Sequence, residues 1–170
     1  MGKNYQLVAW TDNISDSENG RLGMIPSLHY EMQEPYIREI GRCQAEERKA
    51  GTVSTDLARR YVRAYEENAE FMFLTGFSGD GIRSLFKAAS YCIDDEDLNW
   101  AYIDTDLGSY TYYCGPLSHE FDRLCRKCIR MMEKYSRTDI LLEDEPKYVM
   151  GIYNEHLRES RDLAAYVEKD

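Results

Sequence analysis

The segment PLSHEFDRLCRKCIRMMEKY, residues 116–135, restricts the fold more tightly than any other. Phe121, Leu124, Cys125, Cys128, Met132 and Tyr135 recur in it at three- and four-residue steps, the repeat of one helical face and not of a strand. Other stretches carry the same kind of stripe. TVSTDLARRYVRAYEENAEFMF (52–73) opens with the capping residues Thr52 and Ser54. Its apolar positions Leu57, Ala58, Tyr61, Val62, Ala64, Tyr65, Ala69 and Met72 sweep an arc wide enough to pack on two sides. Ile82, Leu85, Phe86, Ala89 and Ile93 mark a helix over 82–93. Another starts at Glu34-Pro35, with Ile37 and Ile40 on one face and Gly51 placed to end it.

The rest of the chain is read around these helices. DDEDLNWAYIDTDLGSYTYY (94–113) reads as a helix with an acidic entrance, then an aromatic turn. EPKYVMGIYNEHLRESRDLAAYVEKD (145–170) reads as one broken helix or two. Residues 1–30 read as an N-terminal arm, in which YQLVAW has the composition of a short strand and TDNISDSENGRLGMIPS that of a loop. A chain of 170 residues suffices for one core and is short for two. The expectation is an all-α fold: the arm over 1–30, then a single helical domain over 31–170. That domain is about three stacked antiparallel helical hairpins or an irregular helical bundle.

Charge narrows the partners. The chain carries 21 lysines and arginines against 31 aspartates and glutamates, a net charge of −10. Phosphate neutralisation supplies most of the affinity for nucleic acid and anionic membrane, so neither is an expected partner. The start, MGKNYQLVAW, lacks the apolar run of a leader, and Gln6 stands where a myristoylation signal needs Ser or Thr. The five cysteines (Cys43, Cys92, Cys114, Cys125 and Cys128) lie in apolar-periodic segments, as free thiols do in a reducing cytoplasm.

GFSGDGIRSLFKAASYCI from Gly76 and GPLSHEFDRLCRKCIRMM from Gly115 match at an offset of 39 residues. Ile82 meets Phe121, Leu85 meets Leu124, Phe86 meets Cys125, Ala89 meets Cys128 and Ile93 meets Met132. Upstream, Tyr61, Phe71 and Phe73 meet Trp100, Tyr110 and Tyr112; downstream, Leu163, Ala164 and Val167 continue the series. Stacked helical hairpins produce such self-similarity. Over residues 55–168 the chain resembles the tetratricopeptide-like group of helical-repeat folds, with Gly76 as the turn glycine and Leu85 and Ala88 as large and small residues of the second helix. Its period is longer than that group's, Gly81 replaces the first alanine of the second helix, and no proline closes the hairpin. The resemblance implies a stack that grips another protein, and it assigns no binding residue.

Candidate chemistry was tested against spacing. GFSGD, around Ser78, comes close to the G-x-S-x-G elbow that raises a nucleophile between strand and helix, but Asp80 stands at the last glycine. The partner base would be His119 or His156, and the competing reading is a helix-to-helix corner capped by Ser78 or Asp80. Gly76, Gly79 and Gly81 make neither a Walker loop nor a dinucleotide fingerprint. Cys114, His119, Cys125 and Cys128 have a metal-like spacing, but on a helix His119 points roughly 160° away from Phe121 and the cysteines' side. A calcium loop from Asp95 fails because Trp100 occupies the obligatory glycine. No metal, cofactor or catalytic residue is therefore assigned.

Two surfaces remain. Arg123, Arg126, Lys127, Arg130, Lys134 and Arg137 fall opposite the apolar face of their helix as a stripe for an acidic partner, or as a solvated face neutralised by LLEDE or the nearby acidic cluster. Tyr102, Tyr110 and Tyr113, with Tyr112, form either an aromatic binding surface or packing between hairpins. The functional expectation is a non-catalytic protein- or peptide-binding helical scaffold. The alternatives are an acidic inhibitor or immunity-type protein that masks a basic partner, and a small serine hydrolase using Ser78.

Overall fold

The computed structural model describes residues 26–94, 100–106, 108–113 and 115–158. Its centre is α2 (Thr55–Leu74), which begins where Ser54 Oγ accepts the Leu57 N–H at 3.2 Å and so satisfies one open donor of the first turn. The helix before it is α1 (Pro26–Ala50), and after it comes α3 (Ser78–Ile93). Gln33 meets Asn68 and Tyr61 meets Glu47, so α1 runs antiparallel to α2. Phe73 lies over Gly81, Asn68 over Ser84 and Tyr61 over Tyr91, so α3 runs antiparallel to α2 in turn. The wide apolar arc of α2 is thus used on two sides, as its sequence requires.

Next come a β-hairpin of β1 (Trp100–Thr105) and β2 (Gly108–Tyr113), then α4 (Ser118–Lys134), a 3₁₀ turn (Thr138–Leu142), α5 (Asp144–Ile152) and a π turn (Tyr153–Arg158). Both α4 and α5 pack on α3, while β2 lies against the π turn. Tyr61, Ile82, Leu85, Phe86, Phe121 and Leu124 are fully buried between these helices, and Ile140 and Val149 close the far side. A polar thread crosses the core. Gln33 Nε2 donates to Asn68 Oδ1 at 3.0 Å, Asn68 Nδ2 to Ser84 Oγ at 3.5 Å, and Ser84 Oγ to the Tyr65 carbonyl at 2.7 Å. Each step satisfies a group that burial would otherwise penalise, and together they fix the register of three helices.

The body is all-α, in agreement with the periodicity, but three local readings are corrected. The first helix does not start at Pro35. It begins at Pro26 and carries Pro35 inside, where the ring withholds one backbone N–H from the ladder. The helix expected from Ile82 starts at Ser78, so Gly79 and Gly81 belong to it. The segment 100–113 is an antiparallel hairpin, with Trp100 opposite Tyr113, Tyr102 opposite Thr111 and Ile103 opposite Tyr110. Trp, Tyr, Ile and Thr prefer a pleated ladder, and Gly108 at φ +133° supplies the backbone freedom its turn needs.

The 39-residue offset therefore matches the buried faces of α3 and α4 but sets helix α2 against two strands. Residues 1–25, the acidic run 95–99, Cys114 and the downstream echo at Leu163, Ala164 and Val167 lie outside the described residues.

Candidate functional site

The glycine-rich corner comes first, because it decides between pocket and packing. Gly76, at φ +87°, reverses the chain after α2. The Phe77 N–H then reaches back to the Met72 carbonyl at 2.8 Å, closing the helix end. Phe71–Leu74 is helical and Ser78 is 1% exposed at the head of α3, so no strand raises a hydroxyl here. The corner is the helix-to-helix turn of the competing reading and not a hydrolase elbow, but its capping residue is corrected: Phe77 stands at the N-cap of α3 with no side-chain cap, and Ser78 and Asp80 lie inside the helix.

The other two glycines are contacts. A Cβ on Gly81 would lie 2.7 Å from the Phe73 ring, which stacks on Tyr135 at 5.6 Å and 2°. A Cβ on Gly79 would lie 2.7 Å from the end of the Arg137 guanidinium. The volume a phosphate would need is filled by side chains of α2 and of the turn after α4.

Cys43, Cys92, Cys125 and Cys128 are buried. Burial pushes the Cys125 and Cys128 thiols well above the ordinary range and the Cys43 thiol up to about 11, so none of these three is an available thiolate. His119 is exposed on α4, away from the buried cysteines. Among the described residues no group of three His, Cys, Asp or Glu side chains could hold a metal.

The basic stripe divides. Arg123 donates to both oxygens of Glu66 at 2.6 and 2.8 Å and to Glu120 at 2.7 Å. Lys127, only 16% exposed, bridges Glu66 at 3.0 Å and Glu70. These bonds tie α4 to α2. Arg123 holds the Glu66 carboxyl below the usual range, with help from Lys127 and against the opposing effect of burial. Arg126 pairs with Asp122 on its own helix at 3.1 Å, and Arg137 with Asp139 at 3.1 Å. Lys134 lies over the Tyr135 ring at 5.3 Å, and Arg130 is exposed with no ion pair among the described residues. LLEDE does not neutralise the stripe: Glu143 takes Arg83 at 3.0 Å and Glu145 takes Lys87 at 3.2 Å, both on α3.

The tyrosine group is also redistributed. Tyr102 stands in β1 and Tyr110 and Tyr113 in β2, where pairing puts positions 102 and 113 on one side of the ladder and position 110 on the other. A different stack forms in the core. Tyr61 and Tyr91 lie 3.7 Å apart between centroids at 6°, with Tyr65 5.8 Å from Tyr91. The Tyr61 hydroxyl donates to Glu47 at 2.7 Å.

What the sequence did not single out is the outer ridge of α2. Arg59, Arg63, Glu67 and Glu70 are exposed at steps of three and four. On one side lies a groove of about 430 Å³ whose walls include Val62, Glu66, Leu117 and Glu120. On the other lies one of about 410 Å³ between Pro35, Tyr36, Glu39 and Arg60. Arg63 and Glu67 line both. Arg59 and Arg63 form no ion pair among the described residues, whereas Arg60 is clamped by Glu39 at 2.7 Å and by Glu46. The signal was present as the outward complement of the apolar arc, but sequence alone does not show which outward face borders a groove.

No helix among the described residues is long and apolar enough to cross a membrane. No protein-family model, curated protein or solved structure matches the chain.

Proposed function

We propose that this chain is a non-catalytic helical scaffold that binds a protein or peptide along the outer ridge of α2. The observation that carries this reading is the pair of open grooves meeting at Arg63 and Glu67, where Arg59 and Arg63 form no ion pair among the described residues. A long, charged, shallow surface offers many weak contacts to a macromolecule and little enclosure to a small substrate. The buried serine and thiols support it, because the groups best suited to nucleophilic work are committed to packing. Stacked helical hairpins of the tetratricopeptide-like kind serve the same purpose.

A photo-crosslinking residue placed at Arg63 tests the reading, with one at the exposed Arg130 of α4, which lines neither groove, as a control. The prediction is a discrete protein adduct from position 63 in the native cell, lost with R59E. No adduct from 63, or the same adduct from 130, overturns it.

Acidity favours a second reading. A net charge of −10 suits an inhibitor or immunity-type protein that covers a basic partner, and steering by such a field accelerates association. Buried free thiols suit a cytoplasmic setting for either role.

A further inference from the structure

The ridge of α2 changes sign along its length. Arg59 and Arg63 stand toward its start and Glu67 and Glu70 toward its end, all four exposed and all four lining the groove of about 430 Å³. Arg59 and Arg63 are one turn apart and repel, a small cost to the helix. Arg63 and Glu67 are also one turn apart but form no ion pair, an arginine ahead of a glutamate being the weaker order along a helix. The chain's own pairs run elsewhere, Arg60 to Glu39 and Glu46 and Glu66 to Arg123 and Lys127. Lys127 takes Oε1 of Glu70 and leaves Oε2.

Reversed and laid alongside, this ridge is its own complement. An antiparallel neighbour centred near Tyr65 puts Arg63 opposite Glu67 of the second copy and Arg59 opposite its Glu70, and a two-fold axis repeats both pairs. Shape agrees with charge. Arg59, Arg63 and Glu67 follow the four-residue row of a helix and have a groove on each side, the relief into which the row of a second helix settles. A uniformly basic partner would leave the two arginines facing like charge, and a uniformly acidic one would do the same to the glutamates. Two chains of net charge −10 repel at a distance, but charges more than about 8 Å apart are largely screened at physiological salt. The facing ridges, whose own charges cancel, then set the register.

We infer that the partner taken by the α2 ridge is a second copy of this chain, its α2 antiparallel to the first, an inference that rests on the ridge being the binding surface proposed above. Arg63 and Glu67 are the residues that fix the pairing, each used twice across the axis.

Sedimentation equilibrium of the full chain tests this with the parent, R63E, E67R and an equimolar mixture of the two variants. The parent is expected to dimerise with a Kd below about 100 μM. Each variant alone sets like charges face to face twice per dimer, and is expected to dimerise at least about tenfold more weakly. In the mixture one chain presents two carboxylates to two guanidiniums of the other, and a heterodimer within about threefold of the parent's affinity is expected. Variants that had merely lost their fold would not rescue each other. A parent that is monomeric at about 100 μM overturns the inference, as do variants that dimerise like the parent or a mixture no tighter than its components. A monomeric parent whose crosslinker at position 63 still captures a different protein ends the self-pairing and leaves the ridge reading in place, whereas no capture there ends both.

Discussion

Gly76 and Ser136 perform the same task with different chemistry. Each occupies the left-handed region, at φ +87° and +55°, just past the end of a helix. In both turns the next residue bonds back across the last turn, Phe77 N–H to the Met72 carbonyl and Arg137 N–H to the Met132 carbonyl, each at 2.8 Å. Serine bears a Cβ penalty there that glycine does not. S136G is therefore expected to raise stability by about 1 kcal/mol, and G76A to lower it by about as much, read as opposite shifts of the urea midpoint. Gly79 behaves differently because its neighbour is the movable end of Arg137. G79A is expected to change stability by no more than about 0.5 kcal/mol, since the far end of a flexible side chain can shift by the few tenths of an ångström required.

At the scale of elements, α2 and α4 are held together by charge as well as by packing. Glu66 receives Arg123 and Lys127 from α4, and its carboxyl sits below the ordinary 4.5. A depressed carboxyl contributes stability that is present above the unfolded value and lost as pH falls through the folded one. E66Q is expected to lose about 1–2 kcal/mol at pH 7, and its gap from the parent is expected to close as pH drops below about 4.5. A gap unchanged down to pH 3 in urea titrations would remove Glu66 from the clasp. In α1, a Cβ on Gly41 would meet nothing within 4 Å, so G41A is expected to stabilise by up to about 1 kcal/mol through helix propensity alone.

Elements also show where sequence reasoning stops. The stripe Phe121, Leu124, Cys125, Cys128, Met132 and Tyr135 was legible because burial follows the period of one helix, and all are buried but Tyr135, which is half-buried at the C-cap. The hairpin was not. Its aromatic residues alternate in a way that a short window also fits to helical steps, and the preceding aspartates resemble a helix entrance. The Glu66–Arg123 pair spans 57 residues of sequence, so no local pattern could announce it. The basic stripe was visible along α4, whereas the partners that tie it to α2, Glu66 and Glu70, lie on another helix.

For the whole molecule, Ser78 and the four described cysteines are buried, while the grooves beside α2 are open. The scaffold reading stands on the glycine-rich corner being filled by its own side chains, and Gly81 tests this. The ring it faces also stacks on Tyr135, so moving it away from an added methyl disturbs that stack as well. The deciding measurement is a double-mutant cycle of G81A with F73A by urea unfolding. The account predicts that G81A destabilises the parent by about 1–2 kcal/mol and stabilises the F73A background by up to about 1 kcal/mol, a change of sign. Equal effects of G81A in the two backgrounds would mean that the ring does not fill the corner, and would contradict the account.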